Sequence, residues 1–357
     1  MMAERGEATL VEVADGVHAY LQRGGWGFSN AGLVASGDTS LLVDTLYDVG
    51  LTARMLEEMR RVVKAADRID TVVNTHANGD HCWGNQLVEG ADIVSSRAAA
   101  EEMLELRPWL MLALMRAARR SQRVGPVARA AMGLLGRIGV PYVGALAEAG
   151  AFVEECFGEF DFRGIRLTPP TTTFEGKLSL TVGGKRVELI QVGPAHTKGD
   201  VVVHLPAERV AFTGDILFIG SHPIAWEGPV QAWIAACDLL LELDVDVIVP
   251  GHGPLTTKAG VRDTKAYWER VVARATQGRA AGASPEDVAQ DLLGDGFGEW
   301  TEAHRLVVNV DTIYRDLAGD RSHRDPLRMF ALMARLERAD REASSFEAAV
   351  GARAHHG

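Results

Sequence analysis

Histidine and aspartate side chains follow four short apolar stretches of the sequence, and they are the residues best suited to chemistry. They are His76, Asp80, His81, His196, Asp215 and His252. Imidazoles and carboxylates with little thiolate suit a divalent first-row metal, zinc first, with iron or manganese as alternatives. One histidine at a strand end is usually a polar cap, but six such residues beside glycines indicate a metal site.

The spacing of the first group has a geometric reason. In an extended backbone, residues two apart point the same way, so His76, Asn78 and Asp80 share one face. Gly79 permits a turn that brings His81 to the same centre. This segment alone therefore predicts several ligands directed at one point.

The elements that position these residues are predicted as alternating strands and helices. Helical spacing of apolar residues predicts a helix over 49–66, and residues 226–243 are predicted to be helical as well. A β-rich block spans 171–217, and 245–249 is predicted as a last strand. Two β-rich halves that each end in helices predict an α/β protein with a sheet-on-sheet core and helices outside.

Two helical segments interrupt and extend this core. The predicted parts are a core of 8–96 and 159–258, a helical insertion at 97–158, a helical C-terminal extension at 259–343 and a flexible tail at 344–357. Within the insertion, residues 106–147 contain seven arginines among apolar residues and no acid. We expect it to be a lid over a substrate with an apolar body and an anionic group, or a homodimer interface. The alternatives are an amphipathic surface for anionic lipid and pairing of the arginines with the acidic body of the protein.

Composition limits the partners and the compartment. The chain has 357 residues, with 48 acidic and 37 basic side chains and a net charge of −11, which makes nucleic acid an unexpected partner. Three cysteines do not form a disulfide scaffold. The N-terminus lacks the pattern of a signal peptide, and no apolar run reaches the ~18–20 residues of a membrane helix. We therefore expect a cytoplasmic protein without stable membrane association.

The motifs, in this order, resemble those of the metallo-β-lactamase superfamily of metallohydrolases. The residues that match are Asp44, His76, Asp80, His81, His196, Asp215 and His252. The resemblance covers residues 10–260 apart from the insertion. It implies an αββα sandwich (the metallo-β-lactamase fold) with the active site at one edge of the two sheets.

The resemblance also implies roles for these residues. His76 and His196 would hold the first metal (the first site), Asp80, His81 and His252 the second (the second site), with Asp215 bridging and Asp44 orienting the ligands from behind. Two Zn²⁺ ions are expected, with a single ion as the alternative.

Asn78 departs from the family pattern, which usually has histidine at this position. A carboxamide oxygen binds zinc more weakly than imidazole does, and three alternatives stay open. Asn78 is a weak ligand and two zincs bind, or the first metal is absent and one ion occupies the second site. In the third alternative His76, His196 and Asp215 hold one iron as a facial triad.

The expected function is that of a metal-dependent hydrolase. A metal ion lowers the pKa of bound water from ~15.7 towards ~7, Asp80 would orient that water, and Asn78 would help to stabilise the oxyanion. The substrate would be an ester, thioester, lactone or amide in a bulky, largely apolar small molecule, for example in secondary metabolism. The alternatives are a mononuclear iron oxygenase on His76, His196 and Asp215, or a non-hydrolytic biosynthetic enzyme such as a cyclase.

Two loops are expected to form walls of the substrate pocket. The first is glycine-rich and contains Trp26 and Phe28, and the second follows Asp215 and contains His222 and Trp226. His222 is a candidate proton donor to a leaving group. The alternatives are a surface hairpin for the first loop and a structural histidine for the second.

Overall fold

The computed structural model describes residues 7–354 apart from 89, 106, 124–140, 295 and 323–324, and in 141–147 and 343–354 it describes the backbone alone. The strands are β1 (Ala8–Ala14), β2 (Val17–Gln22), β3 (Ala31–Ser36), β4 (Thr39–Val43), β5 (Thr71–Val73), β6 (Asp92–Ser96), β7 (Thr172–Phe174), β8 (Lys177–Val182), β9 (Lys185–Gln191), β10 (Val201–Leu205), β11 (Val210–Phe212) and β12 (Val247–Val249). The α-helices are α1 (Val49–Val62), α2 (Gly79–Cys82), α3 (Arg97–Met103), α4 (Pro108–Arg123), α5 (Pro141–Phe157), α6 (Val230–Glu242), α7 (Lys258–Ala280), α8 (Pro285–Leu292), α9 (Leu306–Ala318) and α10 (Pro326–Ala354).

Two mixed sheets form the core. The first contains β1 to β7 in sequence order, and the second has the order β12-β11-β10-β9-β8. Their apolar faces contribute to one buried cluster, in which Val43 and Val73 of the first sheet join Val203 and Phe212 of the second. The β-branched and aromatic residues suit a pleated surface buried against another sheet. The predicted α/β sandwich is confirmed.

Parallel pairing brings the predicted ligands to one edge. In the first sheet β4, β5, β6 and β7 are parallel, and Asp44 and His76 follow β4 and β5. In the second sheet β11 and β12 are parallel, and Asp215 and His252 follow them. Because neighbouring parallel strands end at the same edge, residues distant in sequence meet there.

Two helix predictions had wrong boundaries. The helix predicted over 49–66 ends at Val62 and is followed by a 3-10 turn at Lys64–Asp67. The helix predicted over 226–243 starts at Val230, because Gly228 precedes Pro229 and a residue before proline is disfavoured in the helical region.

The chain divides into two compact units, 1–113 with 159–269 and 114–158 with 270–357. The first contains both sheets. In the second, Phe152 packs edge-on against His304 at a centroid distance of 4.8 Å, and Arg341 pairs with Glu155 at 2.7 Å. Within the described residues no helix combines the length and apolar character needed to cross a membrane.

The insertion and the tail are described in part. Of the seven arginines, Arg129 and Arg137 lie outside the described residues, whereas Arg119 pairs with Glu154 at 3.3 Å. Helix α10 continues through Ala354, across most of the segment expected to be a flexible tail, and residues 355–357 lie outside the described part. A lid or a homodimer interface stays a prediction for the insertion.

Candidate metal centre

Four buried histidines surround Asp215 at the shared edge of the sheets. Their Nε2 atoms lie close to its carboxylate oxygens, at 3.1 Å for His81, 3.3 Å for His196, 3.4 Å for His252 and 3.8 Å for His76. The side chain of Asp80 joins them, with its Oδ2 3.4 Å from His252 Nε2. The six predicted ligands are therefore together in one cluster.

The outer nitrogen of each histidine has a hydrogen-bond acceptor on the side away from Asp215. The Nδ1 partners are Thr75 Oγ1 at 3.0 Å for His76, Asp44 Oδ2 at 2.9 Å for His81, the Ile224 carbonyl at 2.7 Å for His196 and the Phe28 carbonyl at 3.1 Å for His252. An imidazole that donates from Nδ1 carries its lone pair on Nε2. These partners assign the tautomer in which four Nε2 lone pairs face one point.

The arrangement inside the cluster fits a metal ion. Two sets of three donor atoms lie within 4.8 Å of one another, one from His76, His81 and Asp215 and one from Asp80, His81 and His252. The buried atoms His76 Nε2, His81 Nε2 and Asp215 Oδ1 have no hydrogen-bond partner. Buried polar atoms are normally satisfied, and lone pairs that face each other need a cation between them. Imidazole and carboxylate donors suit zinc, iron or manganese.

The electrostatics of the cluster differ between its histidines. Burial lowers the pKa of His76 well below its usual value. Burial also acts on His81, but the carboxylates of Asp215, Asp44 and Asp80 outweigh it and raise the pKa of His81 well above the usual value. The three carboxylates therefore favour a positive charge at His81, which a metal ion bound at Nε2 would supply in place of a proton.

Asp44 connects the two ligand-bearing segments of the first sheet. It accepts hydrogen bonds from the Thr75 amide and hydroxyl, both at 2.7 Å, and from His81 at 2.9 Å. Its backbone has φ of +62°, a left-handed conformation that costs an aspartate of the order of 1 kcal/mol. Because Thr75 also contacts His76, the Asp44 carboxylate holds two imidazoles, that of His81 directly and that of His76 through Thr75.

The neighbouring loops leave room for the cluster. A Cβ atom on Gly251 would lie 2.0 Å from Asp215 Oδ1, so only glycine fits beside that carboxylate. The Ser29 hydroxyl donates to the Asp80 carbonyl at 2.5 Å, and the Thr45 amide donates to the His81 carbonyl at 2.9 Å.

Asn78 stands at the edge of the cluster. Its Nδ2 lies 2.9 Å from His196 Nε2. It occupies the N-cap position of α2 but makes no side-chain cap hydrogen bond. Its carboxamide is therefore turned towards the histidines rather than towards the helix.

A cavity of about 410 Å³ lies in the same unit. Phe28, Phe160, Val49 and Leu51 provide apolar lining. Five of the ten lining residues are charged, namely Asp48, Arg54, Glu159, Asp161 and Arg163. The Phe28 and Phe160 rings are 4.7 Å apart. Phe28 connects the cavity with the cluster, because its carbonyl accepts from His252.

The residues predicted to contact substrate have different positions. Phe28 lines the cavity, whereas Trp26 and His222 are buried, and the Nδ1 atom of His222 lies 3.3 Å from the Tyr267 hydroxyl. The main-chain N–H of Trp226 donates to the His196 carbonyl at 3.2 Å. Contact with substrate stays a prediction for all four.

Sequence reasoning missed the partners that hold the ligands. Thr75 carried a signal, as a polar residue at the end of a buried strand directly before a ligand. Asp200 carried one too, since it accepts from Thr197 Oγ1 at 2.7 Å within the His196 loop. The carbonyl groups of Ile224 and Phe28 carried none, because every residue has a carbonyl.

Similarity to known proteins agrees with this geometry. The family model for the metallo-beta-lactamase superfamily matches residues 24–252. The alpha subunit of 2,4-dinitroanisole O-demethylase from Nocardioides sp. (strain JS1661) is 30% identical over 141 residues, 37% of this chain and 43% of that protein. A linear primary-alkylsulfatase from Pseudomonas sp. (strain ATCC 19151) is 26% identical over 234 residues, 62% of this chain and 40% of that protein. The matched regions span less than half the length of both relatives.

Solved structures show the same fold. The stereoselective inverting sec-alkylsulfatase Pisa1 from Pseudomonas sp. has a TM-score of 0.62 at 17% identity, over 87% of this chain and 50% of that one. A metallo-beta-lactamase from Pontibacter korlensis has a TM-score of 0.50 at 17% identity, over 74% and 99%. With the family match across most of the core, the resemblance predicted from the motifs is confirmed: the chain belongs to the metallo-β-lactamase superfamily.

Proposed function

We propose that this protein is a metal-dependent hydrolase that cleaves a carboxylic or sulfuric ester in a small molecule with an apolar alkyl or aryl arm. The observation that carries the proposal is the convergence of four buried Nε2 lone pairs on Asp215, each fixed by a hydrogen bond at Nδ1. Such a set has no structural use without a cation.

The residues have separate tasks in this reaction. His76 and His196 would hold one ion, Asp80, His81 and His252 a second, and Asp215 would lie between them. A bound divalent ion, with zinc the first candidate, lowers the pKa of water towards ~7 and polarises the ester.

Asp80 has the position of a proton acceptor. Its side chain is 14% exposed, whereas that of Asp215 is 3% exposed. Water that enters the centre therefore meets Asp80 before it meets the buried carboxylate. Asp80 can orient this water and accept its proton.

The apolar arm of the substrate fits the Phe28 cavity. Its volume of about 410 Å³ is in the usual range for small-molecule sites, and Phe28, Phe160, Val49 and Leu51 form an apolar part of its wall beside five charged residues. One relative is named for linear primary alkyl sulfates, which are sulfuric esters, and the other for 2,4-dinitroanisole, which is an aryl ether. Both names support an alkyl or aryl arm, and only the first supports an ester.

Isotope labelling tests the proposal. The protein as purified, with its metals counted, would be assayed with 4-nitrophenyl carboxylates, alkyl sulfates and methyl aryl ethers, and with thioesters, lactones and amides, in ¹⁸O-water with and without oxygen. We expect oxygen-independent ester cleavage with the label from water in the product, loss of activity in Asp80→Asn, and normal activity in the exposed control Asp38→Asn.

Three results would contradict this proposal. A requirement for O₂ with one equivalent consumed per turnover would indicate an iron oxygenase. A product formed without uptake of water would indicate a cyclase or another non-hydrolytic enzyme. Full activity of Asp80→Asn would remove the assigned proton acceptor.

A further inference from the structure

We propose that the Asn78 carboxamide is a ligand of the first metal and that this makes the two sites unequal, one tight and one loose. The inference rests on the metal binding in the proposed function but not on the substrate. The loose site consists of His76, Asn78 and His196. The tight site is the second site, which consists of Asp80, His81 and His252.

The first argument is the direction of the Asn78 side chain. Asparagine is among the best N-cap residues, because its oxygen accepts from an amide of the first helical turn. Asn78 is the N-cap of α2 and makes no such bond. Its terminal nitrogen instead lies 2.9 Å from His196 Nε2, so the carboxamide contacts the atom that must bind the first metal.

The second argument is the proton on His196. Its Nδ1 donates to the Ile224 carbonyl at 2.7 Å, which leaves Nε2 as an acceptor. The Asn78 amide N–H therefore donates into the lone pair that a metal needs. A half-turn of the terminal amide exchanges nitrogen for oxygen at the same place, and this torsion is broad and roughly two-fold. Metal binding at the first site must displace that hydrogen bond and turn the amide.

The third argument is the distribution of charge. Both compact donor sets contain His81, and neither contains His196. His81 is near three carboxylates, those of Asp44, Asp80 and Asp215. His196 is near the Asp215 carboxylate, and its outer nitrogen contacts a neutral carbonyl. A cation is therefore held more strongly at the second site.

Metal competition tests the inference without any turnover. Wild-type protein loaded with Zn²⁺ would be dialysed against a series of zinc buffers, and the zinc per chain would be measured by elemental analysis. We expect one zinc to remain at low free zinc and a second to bind only at a free concentration at least ten times higher. Two zincs released together would overturn the inequality of the sites.

Three substitutions at position 78 test whether Asn78 is a metal ligand or only blocks His196 Nε2 through its hydrogen bond. We expect Asn78→His, and also Asn78→Asp, to bind the second zinc at least ten times more tightly than wild type, and Asn78→Ala at least ten times more weakly. If Asn78→Ala binds the second zinc as tightly as wild type or more tightly, Asn78 only blocks His196 and the inference is wrong. Two variants with a metal-binding side chain, Asn78→His and Asn78→Asp, are included in case one of them does not fold. Thermal unfolding will show whether each variant is folded.

A mirror variant checks which site is tight. We expect His252→Ala to lose the tightly held zinc and to retain loose binding near the wild-type value. Loss of the loose zinc alone would reverse the assignment. Because the readout is zinc per chain, a protein inactive on every ester tested would refute the proposed function and leave this inference standing.

Discussion

His81 and His196 are two buried imidazoles of one centre, but different groups hold them. A charged carboxylate, Asp44, accepts from His81 Nδ1, whereas the main-chain carbonyl of Ile224 accepts from His196. A carboxylate partner orients an imidazole and also raises its basicity, and a carbonyl mainly orients it. Asp44, which follows a strand of the first sheet, therefore adds negative charge next to His81. The Ile224 carbonyl mainly fixes the orientation of His196.

The surroundings of the two rings differ in the same sense. The His196 ring is nearly perpendicular to that of Trp233 at a centroid distance of 5.9 Å, and it packs near Phe218 at 5.7 Å. His81 is instead among carboxylates. Aromatic contacts orient a ring and add no negative charge. The centre is therefore more strongly anionic around His81, which has three carboxylates nearby, than around His196, which is close to Asp215.

The largest effect on both metal sites is expected from removing Asp215, the residue that they share. Asp215→Ala should cost about 3–5 kcal/mol of metal affinity at both sites, because a buried charged cluster loses a central partner. Elemental analysis after dialysis should find less than one metal per chain. The exposed Asp38→Ala is the control, and two metals retained by Asp215→Ala would show that the carboxylate does not join the sites.

Asp44→Asn tests the negative charge that Asp44 places next to His81. Asparagine tolerates the left-handed backbone found at position 44, so the loop should keep its conformation while the charge is lost. Affinity of the tight site should fall about 10–100-fold, as for other residues that hold a metal-binding histidine. Zinc-buffer titration measures this. A loss confined to the loose site would contradict the assigned role of Asp44.

The same contrast explains what could be predicted from the sequence. Asp44, His76 and Asp215 have side chains of a type that signals metal binding, and each follows an apolar strand. Their convergence followed from parallel strands that end at one edge. The partners on the His196 side could not be found this way, since Ile224 acts through a carbonyl. The need for glycine at position 251 arises from Asp215, 36 residues away, and becomes apparent only in three dimensions.

A substitution in the cavity tests the role of the Phe28 ring apart from that of its main-chain carbonyl. Gly50 lines the cavity, and a Cβ atom there would have no neighbour closer than 3.4 Å. Gly50→Trp should fill the cavity and raise KM about 10-fold for esters with a long apolar arm, an effect of about 1.4 kcal/mol. KM for a short ester, kcat and metal content should stay close to wild type, and Gly50→Ala is the matched control.

The result also bears on the second site. Phe28 supports His252 through its carbonyl and lines the cavity with its ring. If Gly50→Trp lowers metal content, the cavity and the metal site are coupled through this residue. An unchanged KM for long-arm esters would show that the arm binds elsewhere.

The smallest expected effect concerns a carboxyl that supports the His196 loop. Glu102 accepts a hydrogen bond from the Lys198 amide at 3.0 Å. Burial raises the pKa of Glu102 from 4.5 to about 7, although the contact with Lys198 opposes the rise. A raised pKa in the folded state favours folding most below pH 4.5, and this contribution is lost as the pH rises through about 7.

Glu102→Gln should remove this pH dependence. Glutamine keeps an acceptor for the Lys198 amide but carries no charge to be buried. The full pKa shift corresponds to about 3 kcal/mol, and solvent at the half-buried side chain reduces it to about 1 kcal/mol. We expect the variant to match wild type in urea unfolding near pH 4.5 and to be about 1 kcal/mol more stable at pH 8. The titration of the metal ligands affects both proteins equally and cancels in the comparison. If the difference in their free energy of unfolding is the same at every pH, the charge on Glu102 does not destabilise this loop.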